Sequence, residues 1–485
     1  MSEKSLKEKT ANGLMWSGIS NGAQQVLNLV FGIFLARLLS ASDYGMVGML
    51  TIFSLIATSL QEGGFMSGLN RLKTVTHADY NAVFWFNTLC SIVIYIILFF
   101  AAPSIAVWFR QPELVPLSRL MFLTFVISAL NTSLRAWLFR NMKVRETAII
   151  SMSALVVSGI TGVTLAWNGF AYWGIAVQNL VFCSMNTLGS WWFSAWHPTF
   201  HIDFRPLRPM FGFSVKLLAT NIFTHINNNV FSIFFGRLYG ERTVGYYNQA
   251  NKWTSMGYTM LSGMVWSVTQ PLFARLSYNE PDRMLQVFRK MLRFTAFLSC
   301  PALFGLALIA PEFITIAITE KWLPSAELMQ LLCISGAFLP ISALYSNFVV
   351  SLGKSNIFMW NTMALCLAQM LLLVILYPYG IRPMVITYVV VNILWLFVWH
   401  HFVHRYIRLR LVDAMCDILP FVGIAAVSVA AGWGAAQPVA DYIYLSVCVK
   451  IAVTAVVYIG TLRLLGAQIL MESLDFVKVK LGRKS

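Results

Sequence analysis

The segment VFGIFLARL (Val30–Leu38) recurs two hundred residues later as VFSIFFGRL (Val230–Leu238), and this duplication decides the fold of the chain. Val, Phe, Ile, Phe, Arg and Leu recur in the same order, and Gly45 and Gly245 extend the match without a gap. A repeated apolar segment half a chain apart is typical of an internally duplicated membrane transporter. The sequence therefore predicts two related helical bundles.

Composition places the chain in the membrane. Its 485 residues are 58% hydrophobic and 11% charged, whereas a soluble domain has about 25% charged residues. Apolar runs follow one another, each near the ~20 residues that cross a hydrocarbon core of about 30 Å. We predict an all-α polytopic membrane protein of about fourteen transmembrane helices, at residues 13–38, 44–68, 80–104, 115–138, 146–167, 170–195, 210–236, 244–272, 291–310, 326–351, 356–377, 383–403, 415–435 and 441–466.

The net charge of +16 is best explained by membrane topology. No basic run forms a soluble module, so nucleic acid is not an expected partner, and most Lys and Arg residues fall in one set of alternate loops. The positive-inside rule then places both termini in the cytoplasm and requires an even number of helices. Met1–Gly13 is polar and Lys-bearing, and we expect it to precede a retained first helix rather than a cleaved signal.

Helix order sets the expected domain organisation. The two copies lie in the first and seventh predicted helices, six crossings apart, and therefore run in the same direction. We expect two six-helix lobes related by a parallel repeat, covering residues 1–200 and 201–410, with residues 411–485 forming two further helices and a basic cytoplasmic tail. A weaker echo supports the repeat, because Ala102-Pro103 and Ala310-Pro311 are predicted to end the third and ninth helices.

Polar residues recur at helical spacing on both repeat helices. The first helix carries Asn21, Gln24, Gln25 and Asn28, and the seventh carries Lys216, Asn221, His225 and Asn228. Polar groups within apolar helices usually face a bundle interior or a water-filled cavity. We predict that the two stripes line a shared cleft that binds substrate. The alternative is that the amides only bond neighbouring helices, at about 0.6 kcal/mol each.

Three cations are further candidates for substrate binding. Arg37 and Arg237 end the two repeat segments, and Lys252 lies about nine residues into the eighth helix. The planar guanidinium fork suits phosphate or carboxylate groups, so the Arg pair would receive an anionic substrate. Alternatively, Arg37 and Arg237 pair with nearby Asp43 and Glu241, and Lys252 is an ordinary interfacial lysine.

Two titratable residues are candidates for ion coupling. Glu62 is the single acidic residue in the interior of the first six apolar runs, although a salt bridge to a nearby cation explains it equally well. His225 has the titration range that a proton switch requires, although a lone histidine in a polar stripe is more often a hydrogen-bonding residue. We expect no catalytic residues, cofactor or metal: the sequence has no GxxxxGK[ST] motif, and its seven Cys residues lie singly, as small hydrophobes do.

Three blocks of sequence resemble a known family. They are Glu62–Asn87 (EGGFMSGLNRLKTVTHADYNAVFWFN), Phe211–Arg275 with GRLYGERTVGYYNQANKW and QPLFAR, and Glu320–Cys333 (EKWLPSAELMQLLC). Their order and spacing over nearly the whole chain are similar to those of the polysaccharide-transport (Wzx-type, WzxC-like) exporters of the multidrug/oligosaccharidyl-lipid/polysaccharide (MOP) superfamily. The resemblance does not specify a substrate.

This resemblance implies a MATE-like, V-shaped flippase in the bacterial inner membrane, not an enzyme. Its substrate would be an undecaprenyl-pyrophosphate-linked oligosaccharide for exopolysaccharide, capsule or O-antigen (lipopolysaccharide) biosynthesis, moved to the periplasm by alternating access. Membrane lipids and polysaccharide polymerase machinery are the implied partners. The alternatives are a multidrug extruder or peptidoglycan-precursor flippase, and, in a different class, a membrane glycosyltransferase or polymerase.

Overall fold

The computed structural model of the chain describes residues 3–62, 69, 75–279 and 283–472. Within these ranges the regular elements are helices, and no strand occurs. Fourteen helices have more than 20 residues each: α1 Glu3–Leu38, α2 Ala41–Glu62, α3 His77–Phe109, α4 Leu114–Arg140, α5 Val144–Trp167, α6 Trp173–Phe193, α7 Arg208–Leu238, α8 Glu241–Asn279, α9 Met284–Leu308, α10 Leu323–Ser351, α11 Ser355–Leu376, α12 Ile381–Ile407, α13 Leu411–Ala436 and α14 Ile443–Leu464.

The predicted fold class is confirmed. Among the described residues, 10 helices are long and apolar enough to cross a membrane. Each of the fourteen predicted segments corresponds to one long helix in order, because unbroken apolar runs bounded by polar loops mark such helices strongly. The chain is an all-α, multi-pass membrane protein.

Several helix ends differ from the sequence prediction. Helix α1 begins at Glu3, within the polar stretch that was expected to precede it. Helix α3 passes through Pro103 and ends only at Phe109, where Arg110 adopts a left-handed conformation (φ 59°, ψ 35°). Membrane helices tolerate an internal proline, so Pro103 does not terminate α3. Helix α9 ends at Leu308, and Pro311 lies in the first turn of a short helix, Ala310–Ile318.

Contacts divide the chain into two compact units, Met1–Gly245 and Tyr246–Ser485. The boundary therefore falls in the first turn of α8. The predicted lobes, residues 1–200, 201–410 and 411–485, follow the sequence repeat, whereas these units follow the density of packing. Helix α7 thus packs within the first unit, although its sequence repeats that of α1.

The first unit is held together by pairs of helices in close contact. Helix α3 packs on α4, α5 on α6, α1 on α5, and α2 on α7. Small residues permit the closest approaches: a Cβ atom on Gly159 would overlap the ring of Phe31, and one on Gly236 would lie 2.7 Å from Phe109 Cε1. Packing at these glycines fixes the positions of α1 and α7, the helices with the polar stripes.

The second unit has an aromatic core. Phe273, Phe288, Tyr345 and Phe348 are 2% exposed or less, and their ring centroids lie 5.2–5.9 Å apart. Aromatic pairs at such separations add about 0.5–1.5 kcal/mol beyond the area they bury. Around this core, α9 packs on both α10 and α13, and α13 packs on α14. The two C-terminal helices are thus integral to the unit.

Candidate functional site

The polar stripe of α1 is largely exposed. Asn21, Gln25 and Asn28 are exposed, and Gln24 is half-buried, with its Nε2 donating to Ser20 Oγ at 2.8 Å. Amides in a membrane helix are stable only where they meet water or a polar partner. The three exposed amides have room for such a partner.

The polar stripe of α7 is more enclosed. Asn221 and His225 are half-buried, and Asn229 Nδ2 donates to the carbonyl oxygen of His225 at 3.0 Å. Asn227 Oδ1 is buried and has no hydrogen-bond partner within the described part of the chain. The side chains of two further predicted residues, Lys216 and Asn228, lie outside the described residues.

The stripes lie on helices whose main neighbours differ. Helix α1 packs chiefly on α5, whereas α7 packs chiefly on α2. Lys252, the deepest predicted cation, lies in the second unit, where it is half-buried and its Nζ is 5.4 Å from the ring centroid of Trp253. The shared cleft that would unite these residues stays a prediction.

Arg37 and Arg237 occupy equivalent positions in the last turns of α1 and α7. Arg37 is exposed. Arg237 is half-buried: its Nη1 donates to the carbonyl oxygen of Trp108 at 2.7 Å, and its guanidinium lies 6.0 Å from the centroid of the Trp108 ring. Trp108 therefore holds the Arg237 side chain near the end of α3.

The acidic residues beyond these helices have other partners. Asp43 Oδ2 accepts hydrogen bonds from the backbone nitrogen and hydroxyl of Ser40, at 2.8 and 2.6 Å, and so stabilises the start of α2. Glu241 accepts from Gln111 Nε2 at 2.7 Å and from Ser42 Oγ at 3.4 Å. These bonds, together with that of Arg237 to Trp108, replace the alternative Arg237–Glu241 pair.

The coupling candidates stay predictions. Glu62 is the last residue of α2, and its side chain lies outside the described residues. His225 is half-buried on α7. In the described ranges no group of three or more His, Cys, Asp or Glu residues could hold a metal ion. All seven cysteines are free, and Cys416 and Cys448 are exposed rather than buried as expected.

Sequence reasoning missed a buried ion pair. Lys450, on α14, contacts Glu312 Oε1 through its Nζ, and the two side chains are only 10% and 17% exposed. Lys450 Nζ also lies 3.4 Å from the carbonyl oxygen of Leu308. The sequence did contain a signal: Lys450 is the single lysine within the last apolar run, and intramembrane cations nearly always have a partner.

A second ion network joins α9 to α13 near the N-terminal end of each helix. Asp417 is 4% exposed; its Oδ2 accepts from Arg289 Nε at 2.7 Å, and its Oδ1 lies 3.4 Å from Arg293 Nε. Lys290 Nζ is 2.6 Å from Glu472 Oε2. Charged side chains therefore join the C-terminal segment to α9 at one end, and Lys450–Glu312 joins α14 to the short helix Ala310–Ile318 at the other.

Comparison with known proteins identifies the family. The sequence model of a family described as "Polysaccharide biosynthesis protein" matches residues 34–327, more than half of the chain. The chain belongs to this family. Its relatives include the lipopolysaccharide biosynthesis protein WzxC of Escherichia coli, 25% identical over 338 residues that cover 68% of each chain. The teichuronic acid biosynthesis protein TuaB of Bacillus subtilis is 23% identical over 88% of this chain and 89% of its own.

Solved structures of membrane transporters share the fold of this chain. The lipid II flippase MurJ, in an inward closed conformation, matches with a TM-score of 0.71 over 93% of this chain and 99% of its own, at 15% identity. An inward-facing multidrug resistance MATE transporter of the MOP superfamily matches with a TM-score of 0.60. At these identities the likeness shows the fold alone.

Proposed function

We propose that the chain is a flippase that moves a lipid-linked oligosaccharide across a bacterial inner membrane for polysaccharide biosynthesis. The observation that carries the proposal is a flippase-like fold over 93% of a chain that belongs to a polysaccharide biosynthesis family. By analogy with the Wzx-type exporters, the carrier is undecaprenyl pyrophosphate and the product serves exopolysaccharide, capsule or O-antigen assembly. Both termini would lie in the cytoplasm.

The physical task of such a protein is to carry a charged sugar head through hydrocarbon. Removing an ionised group from water costs several kcal/mol even in real proteins, so the head needs a polar path while the lipid tail stays in the bilayer. The exposed amides Asn21, Gln25 and Asn28 supply hydrogen-bonding groups along α1. Arg37 and Arg237 supply the guanidinium forks that suit a pyrophosphate.

The chain would perform transport rather than a chemical reaction. The cleft opens to one side and then the other, so the head crosses without a covalent step. Energy would come from an ion gradient or from substrate flux, with Glu62 and His225 as the candidate coupling residues. The test of coupling is Glu62→Gln, which should abolish dependence of transport on a proton or sodium gradient; unchanged dependence would exclude Glu62.

The proposed protein partner is the machinery that would use the flipped substrate. Polysaccharide polymerase machinery would consume the flipped repeat units, so contact with it is proposed together with the membrane lipids. A second candidate function is a peptidoglycan-precursor flippase, favoured by the likeness to the lipid II flippase MurJ. A third is a multidrug extruder, favoured by the likeness to a MATE transporter. Both differ from the main proposal in the substrate and share its transport mechanism.

The deciding experiment is depletion of the protein followed by measurement of lipid-linked oligosaccharide on the cytoplasmic leaflet. We expect accumulation that the intact chain reverses. Accumulation of lipid II would instead support the peptidoglycan alternative, and altered sensitivity to cationic drugs without accumulation would support the extruder. The purified protein should not consume a labelled sugar-nucleotide donor, and turnover of that donor would support the glycosyltransferase alternative.

A further inference from the structure

Helices α2 and α8 touch through their backbones at two glycines. A Cβ atom on Gly45 would overlap the carbonyl oxygen of Glu241, and a Cβ atom on Gly245 would overlap the carbonyl oxygen of Ala41. All four residues lie in the unit Met1–Gly245. No side chain larger than a hydrogen atom fits at either glycine without moving the facing backbone.

The two contacts are reciprocal. Ala41 and Glu241 begin α2 and α8, and each is 200 residues from its counterpart, as are Gly45 and Gly245. The glycine of each copy therefore touches the first helical residue of the other. An exchange in which residue i contacts j while j contacts i is the mark of a twofold relation. A local twofold axis of the duplication thus passes between Gly45 and Gly245.

Glu241 also forms side-chain hydrogen bonds beside the crossing. Glu241 accepts from Gln111 Nε2 at 2.7 Å and from Ser42 Oγ at 3.4 Å. The atoms that meet at the glycines belong to the backbone, and water can solvate the two carbonyl oxygens when the helices part. Arg37 and Arg237 each lie a few residues before the crossing, in the last turns of α1 and α7.

We propose that this reciprocal crossing, the Gly45/Gly245 latch, is a gate at the exit end of the transport path. While the glycines are in contact, the starts of α2 and α8 close the end that carries Arg37 and Arg237. Substrate leaves only after the two helix starts have parted. The inference rests on the proposed flippase function and adds the site of closure to it.

The first test enlarges each glycine. Gly45→Ala and Gly245→Ala should each favour the parted state, and by the twofold relation the two variants should behave alike. With Asn28→Cys as a reporter in a background lacking the native cysteines, labelling by an impermeant thiol reagent from the periplasmic side should rise on the order of tenfold. Gly263→Ala, on the same helix α8 but facing open space, should leave labelling at the parental level. Equal labelling of all variants would overturn the proposal.

The second test closes the latch covalently. Ser42→Cys with Glu241→Cys places two thiols at side chains already in contact, and a short bis-thiosulfonate reagent would join them. Transport of lipid-linked oligosaccharide in proteoliposomes should stop on cross-linking and return after reduction. Cross-linked protein that transports as fast as its reduced form would show a static contact and overturn the latch. Failure of the uncross-linked parent to transport would instead count against the proposed function, while the labelling test still reports on the latch.

Discussion

The α2/α8 crossing and the attachment of α13 and α14 to α9 join helices by different means. At the crossing, two glycines bring backbones together, and the side-chain bonds are those of Glu241 with Gln111 and Ser42. At the attachment, charged side chains join the helices: Lys450 on α14 pairs with Glu312 on the short helix that follows α9, and Asp417 on α13 pairs with Arg289 on α9. Water can replace a backbone contact when helices separate, whereas an ion pair is costly to break once buried. In the proposed flippase, the first region parts during transport and the second stays joined.

The largest expected effect comes from breaking the buried ion pair. Lys450→Met leaves Glu312 with an uncompensated charge in a nearly closed site, which should lower the free energy of unfolding by about 3–5 kcal/mol. Thermal unfolding of the purified protein in detergent measures the change. Lys354→Met removes an exposed lysine and should have little effect.

A double variant separates charge from packing at this pair. Glu312→Gln combined with Lys450→Met removes both charges, so it should recover part of the stability lost in Lys450→Met. Stability of the double variant below that of both single variants would contradict the assignment of a net electrostatic role to the pair.

A smaller effect is expected at the opposite end of the attachment. Asp417→Ala removes the acceptor of Arg289, but the two arginine side chains are 31% and 39% exposed and can regain water. We expect a loss of about 1–3 kcal/mol in the free energy of unfolding. Glu327→Ala is the matched control, because its pair with Arg382 is 58% and 72% exposed and should contribute less than about 1 kcal/mol. Equal losses in the two variants would remove the distinction between them.

The smallest effect on stability, with the clearest effect on transport, is expected at the two arginines that precede the α2/α8 crossing. Arg37→Ala combined with Arg237→Ala should lower export about tenfold, which corresponds to ~1.4 kcal/mol, while protein abundance stays constant. Replacement of both by Lys should retain more export, because the charge remains and only the planar fork is lost. Export by the double-Ala variant at the parental level would contradict a role for this pair in substrate binding.

The contrast between the two regions also explains what sequence could and could not predict. Long apolar runs specify helices locally, so the sequence predicts all fourteen long helices. The boundary of an apolar run need not be the boundary of its helix, because α1 begins at Glu3, within a polar stretch. The Lys450–Glu312 pair joins residues 138 apart, and no local pattern links them. The polar stripes of α1 and α7 were visible from spacing, but their neighbours, α5 and α2, depend on tertiary packing.

The reciprocal glycine contact also constrains how the two halves of the gene can diverge. After a duplication, most positions drift independently, because each copy packs against its own surroundings. Gly45 and Gly245 do not have that freedom, since each faces the backbone of the other copy. A substitution in the facing residue changes its side chain and leaves its backbone atoms in place. Saturation mutagenesis should therefore show that both positions tolerate nearly the same few residues. The two sites would then be linked in evolution although their side chains do not touch.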